Sequence, residues 1–417
     1  MKTLWLLTFK SIINRKLAFV LSIISIAISV VLLLGIDRVT KSTKSHFLNT
    51  INQTDLIVAA PGGSLEILLN LIFHMGDPLN EVDYASYETI SKLKEVAWAV
   101  PLSVGDSFKG YDAVSTTNGY FTHYRYSTSK NLEFAQGSEF KQFFDVVAGS
   151  EVAKNLNLRI GDTIHLSHSG GEHEHKHEHA NRDFHICGIL KPTGTPNDES
   201  LFFQLKADEA IHIEWQSGHF VDMHISSDEL AHMKITPKHI SGILVGLNNS
   251  IDILHVADKI KHLKGANLTA VIPAKALSKL YRLMKNMQEV LTIISSMVFI
   301  AAIFGMISTM LATLNDRRRE IAILRSLGAT VKTIFFLFAA EAFIIVAGGI
   351  VAGNAALAFL VFVNNSFLNP ALQIGYIPDL YESFMLLVMI VMAVLVSVVP
   401  AVKSYKNSLQ DGLMVKI

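Results

Sequence analysis

The sequence predicts an α-helical membrane protein with four transmembrane helices and a large mixed α+β extracytoplasmic domain inserted between helices 1 and 2. Three observations predict it. Apolar runs at Leu17–Ile36, Val290–Leu314, Ile334–Val363 and Phe384–Val402 each come close to or exceed the roughly 20 residues that a helix needs to cross hydrocarbon. Basic residues gather at alternate ends of these runs: Lys2, Lys10, Arg15 and Lys16, then Arg317, Arg318, Arg319, Arg325 and Lys332, then Lys403, Lys406 and Lys416. The positive-inside rule therefore places both termini in the cytoplasm. Between Asp37 and Gln288 no run is apolar and long enough to span, although the chain as a whole is 50% hydrophobic and only 17% charged.

In chain order, residues 1–16 read as a cytoplasmic interfacial helix, with Trp5, Leu6, Phe9, Ile12 and Ile13 at helical spacing. Residues 17–36 form the first span. It reads as an uncleaved anchor, because the run is long for a signal peptide and GIDRVTKS after it offers no small-x-small cleavage site. Residues 37–288 form the extracytoplasmic domain. DLIVAAPGGSLEILLNLIFHMGDP reads as a strand, a Gly-rich turn and a helix. WAVPLSVGDSF, DTIHLSHS, FHICGILK and SLFFQL alternate and are broken by Gly, Pro and Asn, as strands are. Helix returns at Ile251–Leu263 and Lys275–Gln288. The single cysteine, Cys187, can form no intramolecular disulfide and reads as a buried core thiol.

From about Ala274 through Leu314 nothing breaks the helical pattern. Residues 289–314, the second span, thus continue a stalk helix of roughly 60 Å in all. Residues 315–332 form a charged cytoplasmic helix and 333–363 the third span, where Gly348, Gly349 and Gly353 allow close helix approach. Glu341 in that span is expected to face protein or the membrane interface, since a lipid-facing charge is costly. Residues 364–383 are an outside loop without Lys or Arg, 384–402 the fourth span, and 403–417 a cytoplasmic tail.

The charged segment NDRRREIAILRSLGAT, Asn315–Thr330, has Ile321, Leu324 and Leu327 at helical spacing. Such a basic amphipathic helix either lies on anionic lipid or docks into a cytosolic protein. Extended to NDRRREIAILRSLGATVKTIFFLFAAEAF, it resembles without a gap the signature of the FtsX-like, MacB-type ABC transporter permeases, a group that includes the LolC/LolE-like chains. DVVAGSEVAKNLNLRIGDTIHL and FHICGILKPTGTPNDESLFFQL resemble the β-rich part of MacB-type periplasmic domains. The basic start of the chain and the tail PAVKSYKNSLQDGL resemble the family's beginning and end.

What the resemblance implies is a non-catalytic permease subunit in the bacterial inner membrane, multi-pass, with its large domain in the periplasm. A separate ABC ATPase chain would bind ATP and couple to the permease through Arg317, Arg318, Arg319, Glu320, Ile321, Leu324 and Arg325. The charged members would suit a polar groove, with Ile321 and Leu324 on its apolar floor. The permease would act as a homodimer or a paralogous heterodimer, with room for a periplasmic or outer-membrane partner. Movement of the lever would rearrange the ectodomains, a mechanotransmission that exports or extracts a substrate. No G-x-x-x-x-G-K-[ST] occurs in the chain, so ATP is expected on the partner. Zero net charge and no basic stripe argue against nucleic acid as a partner.

One stretch lies outside the family pattern: HLSHSGGEHEHKHEHANRDFH, holding His165, His168, His173, His175, His177, His179 and His185. It falls between two predicted strands and reads as an exposed hairpin loop. Neutral imidazole is a common zinc ligand, and alternating His with the slack of Gly170 and Gly171 can gather three or four ligands as a set. Zinc is favoured over copper because no Met or Cys joins the cluster. The same composition also suits a solvated low-complexity loop. A metalloprotease is disfavoured, since HEHKHEH is not H-E-x-x-H. The rival reading of the chain is a membrane-anchored periplasmic metal-binding receptor or sensor that works without an ATPase.

Overall fold

A computed structural model of the chain describes residues 16–76, 79–168, 183–212, 235–312, 314, 321, 323, 324, 326, 328–368 and 374–411. They form two units, residues 44–283 and residues 1–43 with 284–417. Among the described residues four helices are long and apolar enough to cross a membrane. The first is α1, Lys16–Asn49. It runs beyond Ile36, where the apolar run ends, because no Pro or Gly follows to stop it.

The larger unit is built on one mixed sheet. Its elements in order are β1 Leu56–Ala59, α2 Ser64–Phe73, β2 Val82–Asp83, α3 Tyr84–Ser91, β3 Val96–Phe108, β4 Tyr111–Thr116, α4 Gly119–His123, β5 Arg125–Tyr126, β6 Lys130–Asn131, β7 Phe134–Gly137 and β8 Asp145–Ala148. There follow α5 Ser150–Asn155, β9 Thr163–Ile164, β10 Ser167–His168, β11 Phe184–Leu190, β12 Ser200–Gln204, α6 Leu205–His212, β13 His239–Ile240, β14 Gly242–Leu247, α7 Ile253–Lys261 and β15 Thr269–Val271. The strand order is β15-β1-β14-β3-β4-β12-β8-β11-β7, with β10 on β3 and β9 on β11. The pairs β8/β11 and β4/β12 are parallel. The small strands β2 and β13 pair with each other, as do β5 and β6.

Strand β3 joins the two halves of this sheet. Its first part pairs with β14 and its second part with β4, with a register shift between Val104 and Asp106 beside Gly105. A bulge at a glycine bends and twists a strand, and thirteen residues give β3 the length for both partners. At β1, β8 and β14 both faces of the sheet are buried, and these strands are largely apolar without polar alternation. Ile57, Val147, Phe202 and Leu244 face one core with α2 and α4 residues Leu68, Leu71, Tyr120 and Phe121. Their neighbours in the chain point the other way, Val58, Ile243 and Val245 into one cluster and Val146, Leu201 and Phe203 into another. Period-two alternation thus splits each strand between opposite faces.

The smaller unit adds α8 Pro273–Ala312, a single unbroken helix whose later part belongs here, then α9 Val331–Val363, α10 Leu380–Val396 and α11 Val398–Asp411. Pro273 stands at the first position of α8, where its missing N–H is no loss. The fourth apolar run is divided at Ser397 because Pro400 cannot donate to the Val396 carbonyl four residues back. Gly349 and Gly353 of α9 let α1 come close: a Cβ on Gly349 would lie 2.5 Å from Ile26 Cγ2, and one on Gly353 2.8 Å from the Ala27 carbonyl oxygen. Gly348 is in ordinary contact only, 3.4 Å from Ile23. Glu341 is buried, at 5% exposed.

Candidate functional site

Three regions bear on function. The first is the lever segment. Ile321, Ile323, Leu324 and Ser326 are helical, and Gly328 ends the helix. Its φ of +88° is left-handed backbone that glycine adopts without strain. The Ala329 N–H then donates to the Leu324 carbonyl at 2.9 Å, the six-to-one bond of a Schellman stop. Ile321 is 3% exposed and packs with Leu314, Ile334, Phe338 and Ala401. It therefore anchors the lever on the chain's own third and fourth apolar helices. Leu324 is half-buried and Ile323 is 53% exposed. Arg317, Arg318, Arg319, Glu320 and Arg325 lie outside the described residues, as do residues 1–15 and 412–417.

The second is a charge network that the sequence did not disclose. At the end of α1 that leads into the larger unit, the Arg38 guanidinium donates from Nε and Nη2 to the Glu382 carboxylate at 2.9–3.1 Å. Its Nη1 donates to the carbonyls of Tyr376 at 3.0 Å and Gly375 at 3.4 Å. Both side chains are buried, at 5% and 2% exposure. A buried charge needs such full satisfaction, because removal from water costs several kcal/mol per ion. Beside it Lys41 Nζ bridges Asp37 Oδ2 and Asp379 Oδ2, each at 2.5 Å. Asp379 also caps α10, accepting from the Glu382 N–H at 2.8 Å. Backbone hydrogen bonding and Lys41 hold the Asp379 carboxyl below the usual carboxylate range. Asp37, Asp379 and Glu382 have carboxylate oxygens within 4.8 Å of one another, a grouping that could ligate a metal. Lys41 and Arg38 already supply the cations there, so we read the cluster as an ion network tying the start of α10 to α1.

The third region is the base of the His-rich segment. Strands β9 and β11 pair antiparallel, Ile164 with Phe184 and Thr163 with His185. His165 Nε2 lies 2.9 Å from Asp183 Oδ1, and His185 Nδ1 lies 3.3 Å from Thr163 Oγ1. The hairpin expected from sequence thus has a real base, but β10 leaves it to pair with Ser107 and Asp106 of β3. His168 is placed there by its backbone. His173, His175, His177 and His179 lie outside the described residues. Cys187, in β11, is half-buried rather than fully enclosed, its Sγ 3.5 Å from the Ser138 carbonyl. Burial pushes its thiol up to about 12, so it stays protonated. A cavity of about 380 Å³ in the same unit is lined by Asp106, Asp208, Glu209 and His239 among others, and the Ser115 hydroxyl donates to Asp208.

No curated protein matches this chain. Among solved structures it is similar to the periplasmic region of MacB from Actinobacillus actinomycetemcomitans, at 11% identity and a TM-score of 0.34 over 55% of this chain and 94% of that one. It is also similar to the extracellular domain of the noncanonic ABC-type transporter YknZ from Gram-positive bacteria, at 10% identity and a TM-score of 0.30 over 52% of this chain and 98% of that one. The MacB-like periplasmic core domain family matches residues 19–263, more than half of the chain, and the FtsX-like permease C-terminal family matches residues 292–409. With a MacB-type match that begins within the first apolar helix and runs through the larger unit, and an FtsX-type match that begins within the second and takes in the other two, the chain belongs to the FtsX-like, MacB-type family of ABC transporter permeases.

Proposed function

We propose that this permease converts ATP hydrolysis by a separate ATPase chain into movement of its MacB-type domain, and that it exports or extracts a substrate by that movement. The observation that carries the reading is the continuity of α8. One helix without a break runs from Pro273, two residues past the last strand of the larger unit, to Ala312, three residues before the basic segment. A helix carries displacement along its axis because each turn is hydrogen-bonded to the next. In this reading both termini and the segment 315–332 face the cytoplasm, and the MacB-type domain lies on the other side of the inner membrane. Permease chains act in pairs. ATP stays on the partner, and Arg317, Arg318, Arg319, Glu320 and Arg325 present their charges to it.

The inward packing of Ile321 refines the lever. Ile321 holds the segment to its own spans, which leaves Ile323 and Leu324, among the described residues, as apolar side chains offered to a partner. The test is the combined variant Arg317→Glu, Arg318→Glu, Arg319→Glu, purified with the ATPase chain that accompanies the parent. Hydrogen bonds to charged groups contribute about 1.5–3 kcal/mol each, so the ATPase should be lost at least about tenfold. Undiminished association and turnover would sink the lever assignment.

A further inference from the structure

Strand β3 has two neighbours along one edge and a gap between them. β4 holds its other edge from Ser103 onward. On the edge away from β4, β14 follows β3 only as far as Leu102, paired with Gly242, and β10 joins it at Asp106, paired with His168. Ser103, Val104 and Gly105 are left between the two strands. There the Ser241 hydroxyl takes the place of a strand partner, accepting from the Val104 N–H at 3.0 Å. These three residues form one wall of the cavity of about 380 Å³, which Phe203 of β12, Asp208 and Glu209 of α6 and Ile240 of β13 also line. A Cβ on Gly105 would meet nothing within 4 Å. The bulge that lets β3 change partners thus keeps that wall open, and the volume lies within the roughly 300–1,000 Å³ of small-ligand sites.

The lining sets the charge of the ligand. Glu81, Asp106, Asp208 and Glu209 all contribute to it, and among the described residues no Lys or Arg does. Asp106 is 4% exposed, and the Glu209 side chain 18%. The cation nearest to Glu209, Lys238, has its Nζ 3.9 Å from Oε1 and is 65% exposed. His239 is drawn to the rim of the same wall, its Nδ1 3.4 Å from Asp83 and 3.7 Å from Glu81. Enclosure strengthens the pull of a carboxylate on a cation, because less water stands between them. An anion would be repelled here.

A single bare metal ion does not suit this cavity. Among the described residues the carboxylates that come within 4.8 Å of one another as a set of three are Asp37, Asp379 and Glu382, in the smaller unit. The carboxylates of the cavity are spread around its walls instead, with Val104, Phe203, Leu205 and Ile240 between them. Separated carboxylates with apolar surface between them match a molecule with several ammonium groups joined by alkyl stems, each stem on the apolar part and each charged end on a carboxylate.

We propose that the notch beside Gly105 is a binding site for an aliphatic polyamine, with ammonium groups on Asp106, Asp208 and Glu209 and an alkyl stem on Phe203 and Ile240. The site belongs wholly to the larger unit and stands or falls apart from the lever. The test titrates spermidine by calorimetry into the full chain in phosphatidylcholine nanodiscs at low salt, with empty nanodiscs as the blank. The parent should show saturable binding. Asp208→Asn with Glu209→Gln should weaken it at least about tenfold, as expected for hydrogen bonds to charged groups. Gly105→Met, which fills the notch and keeps every carboxylate, should weaken it as much. Glu139→Gln removes an exposed carboxylate outside the cavity and should bind as the parent does. An uncharged linear diol of the same length should not bind, and melting curves without ligand identify variants that have lost the fold. No saturable binding to the parent, full affinity in a folded Gly105→Met, or an equal loss in Glu139→Gln would each overturn the proposal. So would displacement of spermidine by an equal concentration of magnesium, which would mean that negative charge alone attracts it.

Discussion

At the C-terminus of α2, His74 adopts a left-handed backbone at φ +52° and turns its ring into the core of the larger unit, 9% exposed. The Ser200 hydroxyl donates to the Pro196 carbonyl at 2.9 Å, so the 2.8 Å contact between Ser200 Oγ and His74 Nδ1 calls for Nδ1–H as donor. Burial lowers the His74 pKa from 6.5 to about 4. Between those values the unfolded chain binds a proton that the folded chain refuses, so stability rises with pH across this window. The contribution is fully present above about pH 6.5 and fades as pH falls toward 4, on the order of 3 kcal/mol in all. Thermal unfolding of the full chain in lipid nanodiscs between pH 7 and pH 4 should show this loss, and His74→Gln should flatten it. A slope unchanged by the substitution would assign the pH response to other groups. Sequence marked neither this histidine nor Arg38, because a partner far away in the chain leaves no local pattern.

Among elements, the sequence reading was sharpest where one face of a helix or strand decides the structure. Strands β3, β11 and β12 and the unbroken α8 lie where alternation and an unbroken helical pattern placed them. It was least informative where a choice depends on contacts elsewhere. Alternation in DTIHLSHS could not show that β9 and β10 would pair with different strands. Spacing alone could not tell which apolar side of the lever turns inward, since Ile321 and Leu324 share a stripe. The three glycines of α9 looked alike in sequence, yet only Gly349 and Gly353 sit where α1 leaves no room for a side chain. Helices in lipid gain little from burial itself and associate through close packing. Gly353→Val should therefore lower the stability of the detergent-solubilised protein by about 1–3 kcal/mol, while Gly348→Ala should leave its melting temperature nearly unchanged. Equal effects at both positions would contradict the close approach of α1 and α9 at Gly353.

For the whole molecule, the family and the division into spans and domain were legible because length, apolarity and basic loops act over many residues at once. Substrate was not, because specificity lives in a few side chains grafted on a shared fold. We propose that the His-rich segment bears on that question. With the permease and its ATPase reconstituted, micromolar zinc should change ATP turnover in the parent and leave a variant with His173, His175, His177 and His179 changed to Ser unaffected. Identical responses in the two would remove metal from the account and turn the search toward lipids, lipoproteins and peptides. The Arg38–Glu382 pair carries a further consequence, for biosynthesis. Its partners lie 344 residues apart, and at typical synthesis rates Glu382 emerges roughly 20–70 s after Arg38. Through that interval the guanidinium stands at the end of α1 without its carboxylate, and the pair closes only once the chain has reached the first turn of α10. A chain cut short before Glu382 lacks that closure and leaves the Arg38 guanidinium without its carboxylate.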